Sequence, residues 1–286
     1  MSQSHGRGTS LAAVESQHLT ANGVDFAYLE KGEGPLVILI HGFPDTADSW
    51  LPTLDVLAEA GFHAVAPWTR GYHPTAIPPD GKYDGDTLGR DVLGWIDALG
   101  GEPAVVVGHD WGASAAYAAA GLAPEKFRQL ITVAIPHPAG IKPSPKLAWA
   151  VRHFVKLALP GAARRMRDSD FDYVDELVGR WSPSWNPGPE ETRAVKEAFA
   201  HPGCVEAAVA YYKALYAPLP KGHRKRVTVD AVAFCGKDDI MKRPNYDAAA
   251  RRFEAGYDII EMPGGHFMHR EHPDLFHREL LRVIAR

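Results

Sequence analysis

The chain has 286 residues, 45% of them hydrophobic and 23% charged. That composition excludes a disordered or collagen-like chain, and at ~150 residues per domain it implies about two domains or one large α/β domain with an insertion. With 31 Lys+Arg against 35 Asp+Glu, the net charge of -4 gives no general reason to bind nucleic acid and suits a small neutral substrate better.

Residues 1–16 hold one short apolar patch, at 11–14, well below the ~7–15 apolar residues of a secretory signal, so they read as a disordered leader. Residues 17–31, with Asn22-Gly23 in the middle, predict a β-hairpin. The run LVILI at 36–40, between Gly34-Pro35 and His41-Gly42, predicts a strand buried on both faces. Similar runs recur at 63–66, 104–107, 130–134, 229–234 and 257–261, with helix-length segments at 46–60, 84–99 and 113–122. This alternation predicts an α/β fold with a mostly parallel central sheet flanked by helices.

Across 137–226 the rhythm breaks into amphipathic stretches at 147–159, 171–178, 190–199 and 205–216. The expected organisation is therefore a core of 17–136 and 227–286 with an all-helical insertion at 137–226. The longest uncharged stretch, 111–124, is shorter than the ~18 residues of a membrane span, so no membrane insertion is expected. Cys204 and Cys235 lack CxxC or Cys/His ligand spacing and read as free buried thiols, which favours a cytoplasmic location.

The chemistry centres on Gly108-His109-Asp110-Trp111-Gly112, where an apolar strand runs into Gly-x-Asp-x-Gly and an Ala-rich helix. This is the layout of a nucleophile elbow, with Asp110 in the nucleophile's place. A carboxylate with a reference pKa of ~3.9 is ionised at neutral pH and attacks an sp³ carbon without a base. An acid and a histidine should follow in that order, each after a strand. The acid is Asp239 rather than Asp238, because the preceding residues complete the turn out of the strand, and the base is His266, carried back over the elbow by Gly264-Gly265. The loop His41-Gly42-Phe43-Pro44-Asp45 stands where an oxyanion loop belongs, so the backbone N–H groups of Phe43 and Trp111 should form the hole. The run His266, His269, His272 carries no conventional metal-site motif, and no metal, nucleotide or flavin is expected.

Together these residues resemble the α/β-hydrolase superfamily, and specifically its epoxide hydrolase branch, whose motifs are an HGFP loop and a GHDWG elbow. The resemblance covers nearly the whole chain from about residue 17. It implies that the helical insertion is a cap, and that two cap tyrosines hydrogen-bond the epoxide oxygen as the ring opens. The segment ending in Ala210-Tyr211-Tyr212-Lys213 resembles the family's cap helix and gives Tyr212 the donor role. Tyr211 points ~100° away on a helix and should not share it. Counting back from Leu159-Pro160-Gly161, the first tyrosine falls on His153, whose imidazole N–H can donate and whose imidazolium is a stronger acid than a phenol of pKa ~10. The implied activity is conversion of an epoxide and water to a vicinal diol without a cofactor, by an assembly left open as far as a homodimer. A haloalkane dehalogenase sharing the Asp nucleophile, or a non-catalytic binding homologue, is the alternative.

Overall fold

The computed structural model describes residues 15–286; the leader expected at 1–16 falls, but for its last two residues, outside them. Eight strands form one sheet: β1 (Gln17–Ala21), β2 (Val24–Lys31), β3 (Leu36–Ile40), β4 (His63–Pro67), β5 (Ala104–His109), β6 (Phe127–Val133), β7 (Ala231–Gly236) and β8 (Tyr257–Met262). Their spatial order is β1-β2-β4-β3-β5-β6-β7-β8. β2 pairs antiparallel with both β1 and β4, and every later neighbour is parallel. The near-continuous Val, Ile, Leu and Ala of β3, β5 and β7 follow from burial on both faces, which leaves no polar alternation.

From β3 the chain crosses to β4 on one side and then returns to β5 on the other. The crevice beyond the carboxyl ends of β3 and β5 is therefore a topological switch point, where open α/β sheets bind ligands. Between β6 and β7 no strand occurs. The chain instead forms helices at Pro145–Ala150, Arg152–Ala158, Ala162–Trp181, Glu190–Ala200, Cys204–Ala214 and Lys221–Arg224.

The single stretch expected at 147–159 is two helices, broken at Val151 with φ -92° and ψ 18°. Re-aiming the second piece buries His153 and Leu157, one turn apart, while Trp149 stays exposed. Three helices after β7, Arg243–Ala249, Met268–Glu271 and Pro273–Ile284, were not anticipated, although the last buries Phe276, Leu280, Val283 and Ile284 at helical spacing.

The helical stretch is tied to the core through a buried ion pair. The Arg70 guanidinium holds Asp91 with two bonds of 2.5 and 2.6 Å, and the Arg70 carbonyl accepts the Tyr211 hydroxyl at 2.9 Å. Among the described residues no helix is long and apolar enough to cross a membrane.

Candidate active site

Asp110 joins β5 to the helix Trp111–Leu122 with φ 50° and ψ -116°, a conformation that costs a non-glycine residue roughly 1–3 kcal/mol. The flanking glycines permit it. A Cβ on Gly108 would lie 2.4 Å from the Gly112 carbonyl oxygen, and one on Gly112 would lie 2.3 Å from that of Ile40. Strand, turn and helix thus approach closely enough to raise the carboxylate over the ends of β3 and β5.

The Phe43 N–H donates to Asp110 Oδ1 at 2.9 Å. His41 fixes that loop: its Nδ1–H donates to the Gly42 carbonyl at 2.9 Å and its Nε2 accepts the Thr69 N–H at 3.0 Å. Burial pushes His41 down to about 4, which keeps this neutral tautomer. The Trp111 N–H, the other expected donor, makes no bond to the ground-state carboxylate among the described residues. Oxyanion donors aim at the oxygen of a tetrahedral centre, which a planar carboxylate does not yet occupy.

His266 follows β8 and reaches back over the elbow. Its Nδ1 lies 3.1 and 3.3 Å from the two Asp239 oxygens, and its Nε2 lies 3.3 Å from Asp110 Oδ2. The second contact is off the line of a hydrogen bond, leaving Nε2 without a hydrogen-bond partner. Burial alone would lower the imidazole, but Asp239 and Asp110 outweigh it and push His266 up to about 10. Burial would likewise raise Asp110, yet His266 and the Phe43 N–H hold it below the usual carboxylate range. Asp239 is fully buried, whereas Asp238 is exposed and uses only its backbone N–H, bonded to Gly264. The fold therefore brings Asp239, not Asp238, to the histidine.

Tyr212 and His153 are buried close enough to Asp110 to feel its charge, 1% and 2% exposed. The Tyr212 ring is 5.2 Å from Phe43, 5.3 Å from Trp111 and 6.2 Å from His153, with Phe154 at 5.5 Å. Tyr211 turns away to Arg70, as the helical angle requires. The ordinary histidine charge does not survive at 153. Burial, with the Arg180 guanidinium nearby, lowers His153 to about 3, so it stands as a neutral imidazole and the imidazolium chemistry anticipated for it is corrected. Beside Asp110 a pocket of about 100 Å³ is lined by Trp111, Ile135, Ile141, Phe154 and Met241.

Residues 35–273 match the α/β-hydrolase fold family. The chain belongs to that family. The hydrolase is 29% identical over 283 residues to the AB hydrolase superfamily protein YfhM of Bacillus subtilis, covering 95% of this chain and 98% of that one. It is 27% identical to epoxide hydrolase 3 of Mus musculus, covering 94% and 75% of the two chains. A 129-residue match to epoxide hydrolase A of Mycobacterium tuberculosis is 38% identical but spans only 44% of this chain and 40% of that protein. The crystal structure of an epoxide hydrolase from Bacillus megaterium with an inhibitor superposes with a TM-score of 0.82 at 22% identity, covering 94% and 100%.

Several contacts in this hydrolase's site escaped the sequence. The Trp181 ring stands 5.1 Å from His266 and 4.6 Å from His153, and its carbonyl accepts the His266 N–H at 3.0 Å. Glu271 accepts the Gly265 N–H at 2.8 Å and the Ser182 hydroxyl at 2.6 Å, clamping the histidine loop to the end of that helix. The Glu271 clamp lies five residues after His266 and was findable as a local loop-to-helix contact; Trp181 carried no signal.

Proposed function

We propose that this hydrolase converts small, largely apolar epoxides to vicinal diols through an Asp110 ester. The observation that carries the reading is the division of labour around one carboxylate: Oδ1 is held by the Phe43 N–H, while Oδ2 is unbonded and lies 3.3 Å from His266 Nε2. The names of the similar proteins support the epoxide over other electrophiles. Residues 137–226 then act as a cap that supplies the ring-opening donors.

In the first step Oδ2 attacks an epoxide carbon, the C–O bond breaks, and its electron pair stays on oxygen, which takes the Tyr212 proton while neutral His153 donates a hydrogen bond. Ester formation removes the Asp110 charge that helped hold the proton on His266. The imidazolium therefore becomes more acidic and returns a proton to the tyrosinate, leaving neutral His266. In the second step His266 takes a proton from water as the water oxygen attacks the ester carbonyl carbon, and the Phe43 N–H stabilises the oxyanion. Collapse expels the diol alkoxide, which takes the proton of the regenerated Asp110 carboxyl. The cycle consumes one epoxide and one water and needs no cofactor. Buried free Cys204 and Cys235 suit a reducing, cytoplasmic setting.

Diol formation from a panel of aryl and aliphatic epoxides, run beside bromoalkanes, tests the assignment. Epoxides should turn over and bromoalkanes should release no halide, and Asp110→Ala should lower diol formation by on the order of 10⁴-fold or more with the fold intact. Halide release without diol formation would make the protein a dehalogenase.

A further inference from the structure

A second cluster of chemistry-bearing groups lies behind the elbow. The carboxylate of Asp45, from the loop after β3, and the rings of His109, at the end of β5, and His269, in the helix Met268–Glu271, bring ligand atoms within 4.8 Å of one another. All three residues are at least 95% buried. None of them takes part in the reaction steps above. The sequence run His266, His269, His272 is not what assembles: His266 is engaged in the triad, and His269 meets two residues remote in sequence.

The free atoms match a metal site. Asp45 Oδ1 is taken by the Thr46 N–H at 2.9 Å and by Arg270 at 3.3 Å, whereas Oδ2 has no partner. His109 Nε2 lies 3.0 Å from the His266 carbonyl oxygen, which fixes the proton on Nε2 and leaves the Nδ1 lone pair unpartnered. A carbonyl accepting the far ring N–H is how metal-binding histidines are oriented. Both nitrogens of His269 are unpartnered, and its ring stacks on Trp50 at 4.7 Å with 27° between planes. Four orphaned acceptor or donor atoms at one buried point are a substantial cost, since each unmet polar group loses ~1–3 kcal/mol. The Arg270 charge acts against positive charge on His109 and His269, but Glu191 offsets it at 2.7 Å, so Asp45, Glu191 and Arg270 together carry one negative charge.

The site also has an entry. A surface groove of about 490 Å³ is lined by Asp45, His269, Arg270, Thr53 and His277, and it opens away from the Asp110 pocket.

We propose that Asp45 Oδ2, His109 Nδ1 and a ring nitrogen of His269 bind one borderline divalent ion of the zinc class, as a structural site that ties the β3 loop, the elbow and the histidine loop together. Two neutral imidazoles and one carboxylate suit zinc and neighbouring ions better than calcium or magnesium, which prefer all-oxygen ligands. Ligand atoms ~2.0–2.1 Å from a tetrahedral ion lie about 3.3 Å apart, so a cluster whose atoms lie within 4.8 Å of one another tightens by up to about 1.5 Å on binding.

The test is metal content and Co(II) absorption of untagged full-length protein, after chelator treatment and reloading with Zn(II) or Co(II) alone. One equivalent should bind, with tetrahedral visible bands for Co(II) and a rise in melting temperature. His269→Gln and Asp45→Asn should each lose the equivalent and the bands, with folding checked by circular dichroism. His73 and His201 stack with ring centroids 3.3 Å apart and offer an adventitious pair, so His201→Gln is the control and should keep the equivalent. Failure of the wild type to bind one equivalent would overturn the proposal. So would binding lost in His201→Gln but kept in a folded His269→Gln or Asp45→Asn. If one variant unfolds, the other decides.

Discussion

The strand ends and the helical stretch above them hold their reactive side chains in different ways. Asp110, Asp239 and His266 each follow a strand within a few residues, and each is fixed by directed bonds: the Phe43 N–H on Asp110, Asp239 on His266 Nδ1, Trp181 and Glu271 on the histidine loop. Tyr212 and His153 instead sit on helices and are held by aromatic packing against Phe43, Trp111, Phe154 and Trp181. Backbone geometry therefore specifies the proposed nucleophile and its base, while side-chain shape specifies the groups proposed to meet the substrate oxygen. The first arrangement tolerates little change. The second, held by packing alone, can be altered one residue at a time.

The largest effect expected from the bonded region, after loss of Asp110 itself, is that of Asp239→Ala. Without the carboxylate, His266 loses its orientation and its imidazolium partner, so turnover should fall by ~10²–10⁴-fold, with Asp110 ester accumulating under single-turnover conditions. Loss of turnover without any ester would move Asp239 into ring opening and blur the contrast between the two regions. In the packed region, Tyr212→Phe should slow ester formation by ~10²-fold and leave ester hydrolysis unchanged. The adjacent Tyr211→Phe removes only the bond to the Arg70 carbonyl, so it should cost about 1 kcal/mol of stability and little rate. Equal rate losses in the two variants would mean that the helix, rather than one phenol, matters.

A smaller effect concerns pH. His153 is lowered to about 3 by burial and by Arg180, and the groups facing it are Arg180, Asp110, His266 and the phenol of Tyr212. Since its charged form is absent above that value, ring opening should show no decline centred near ~6.5, the ordinary histidine pKa, as pH rises. Rapid-quench ester formation measured from about pH 5 to 8 checks this. A decline near 6.5 that disappears in His153→Phe would restore a charged donor.

Much of the bonded region was legible in the sequence because its signals are local. The run at 36–40, the glycines flanking Asp110 and the paired glycines before His266 each dictate backbone within a few residues, and backbone alone places those side chains. Even Asp239 over Asp238 followed from counting the turn out of β7. The break at Val151, the neutral state of His153 and the Trp181 wall were illegible because they depend on what packs across the interface. Asp45, His109 and His269 show the same limit: no spacing links them, and it takes the return of β5 beside β3 and the segment after β8 to bring them together. The helix Pro273–Ile284 differs, since its buried spacing was present in the sequence and unread.

The measurement closest to the central claim is the intact mass of His266→Gln after incubation with an epoxide that the wild type turns over. Ring opening without ester hydrolysis should leave the protein heavier by one whole epoxide, and peptide mapping should place it on Asp110. A folded variant that releases diol at the wild-type rate, or an adduct on any other residue, would contradict it.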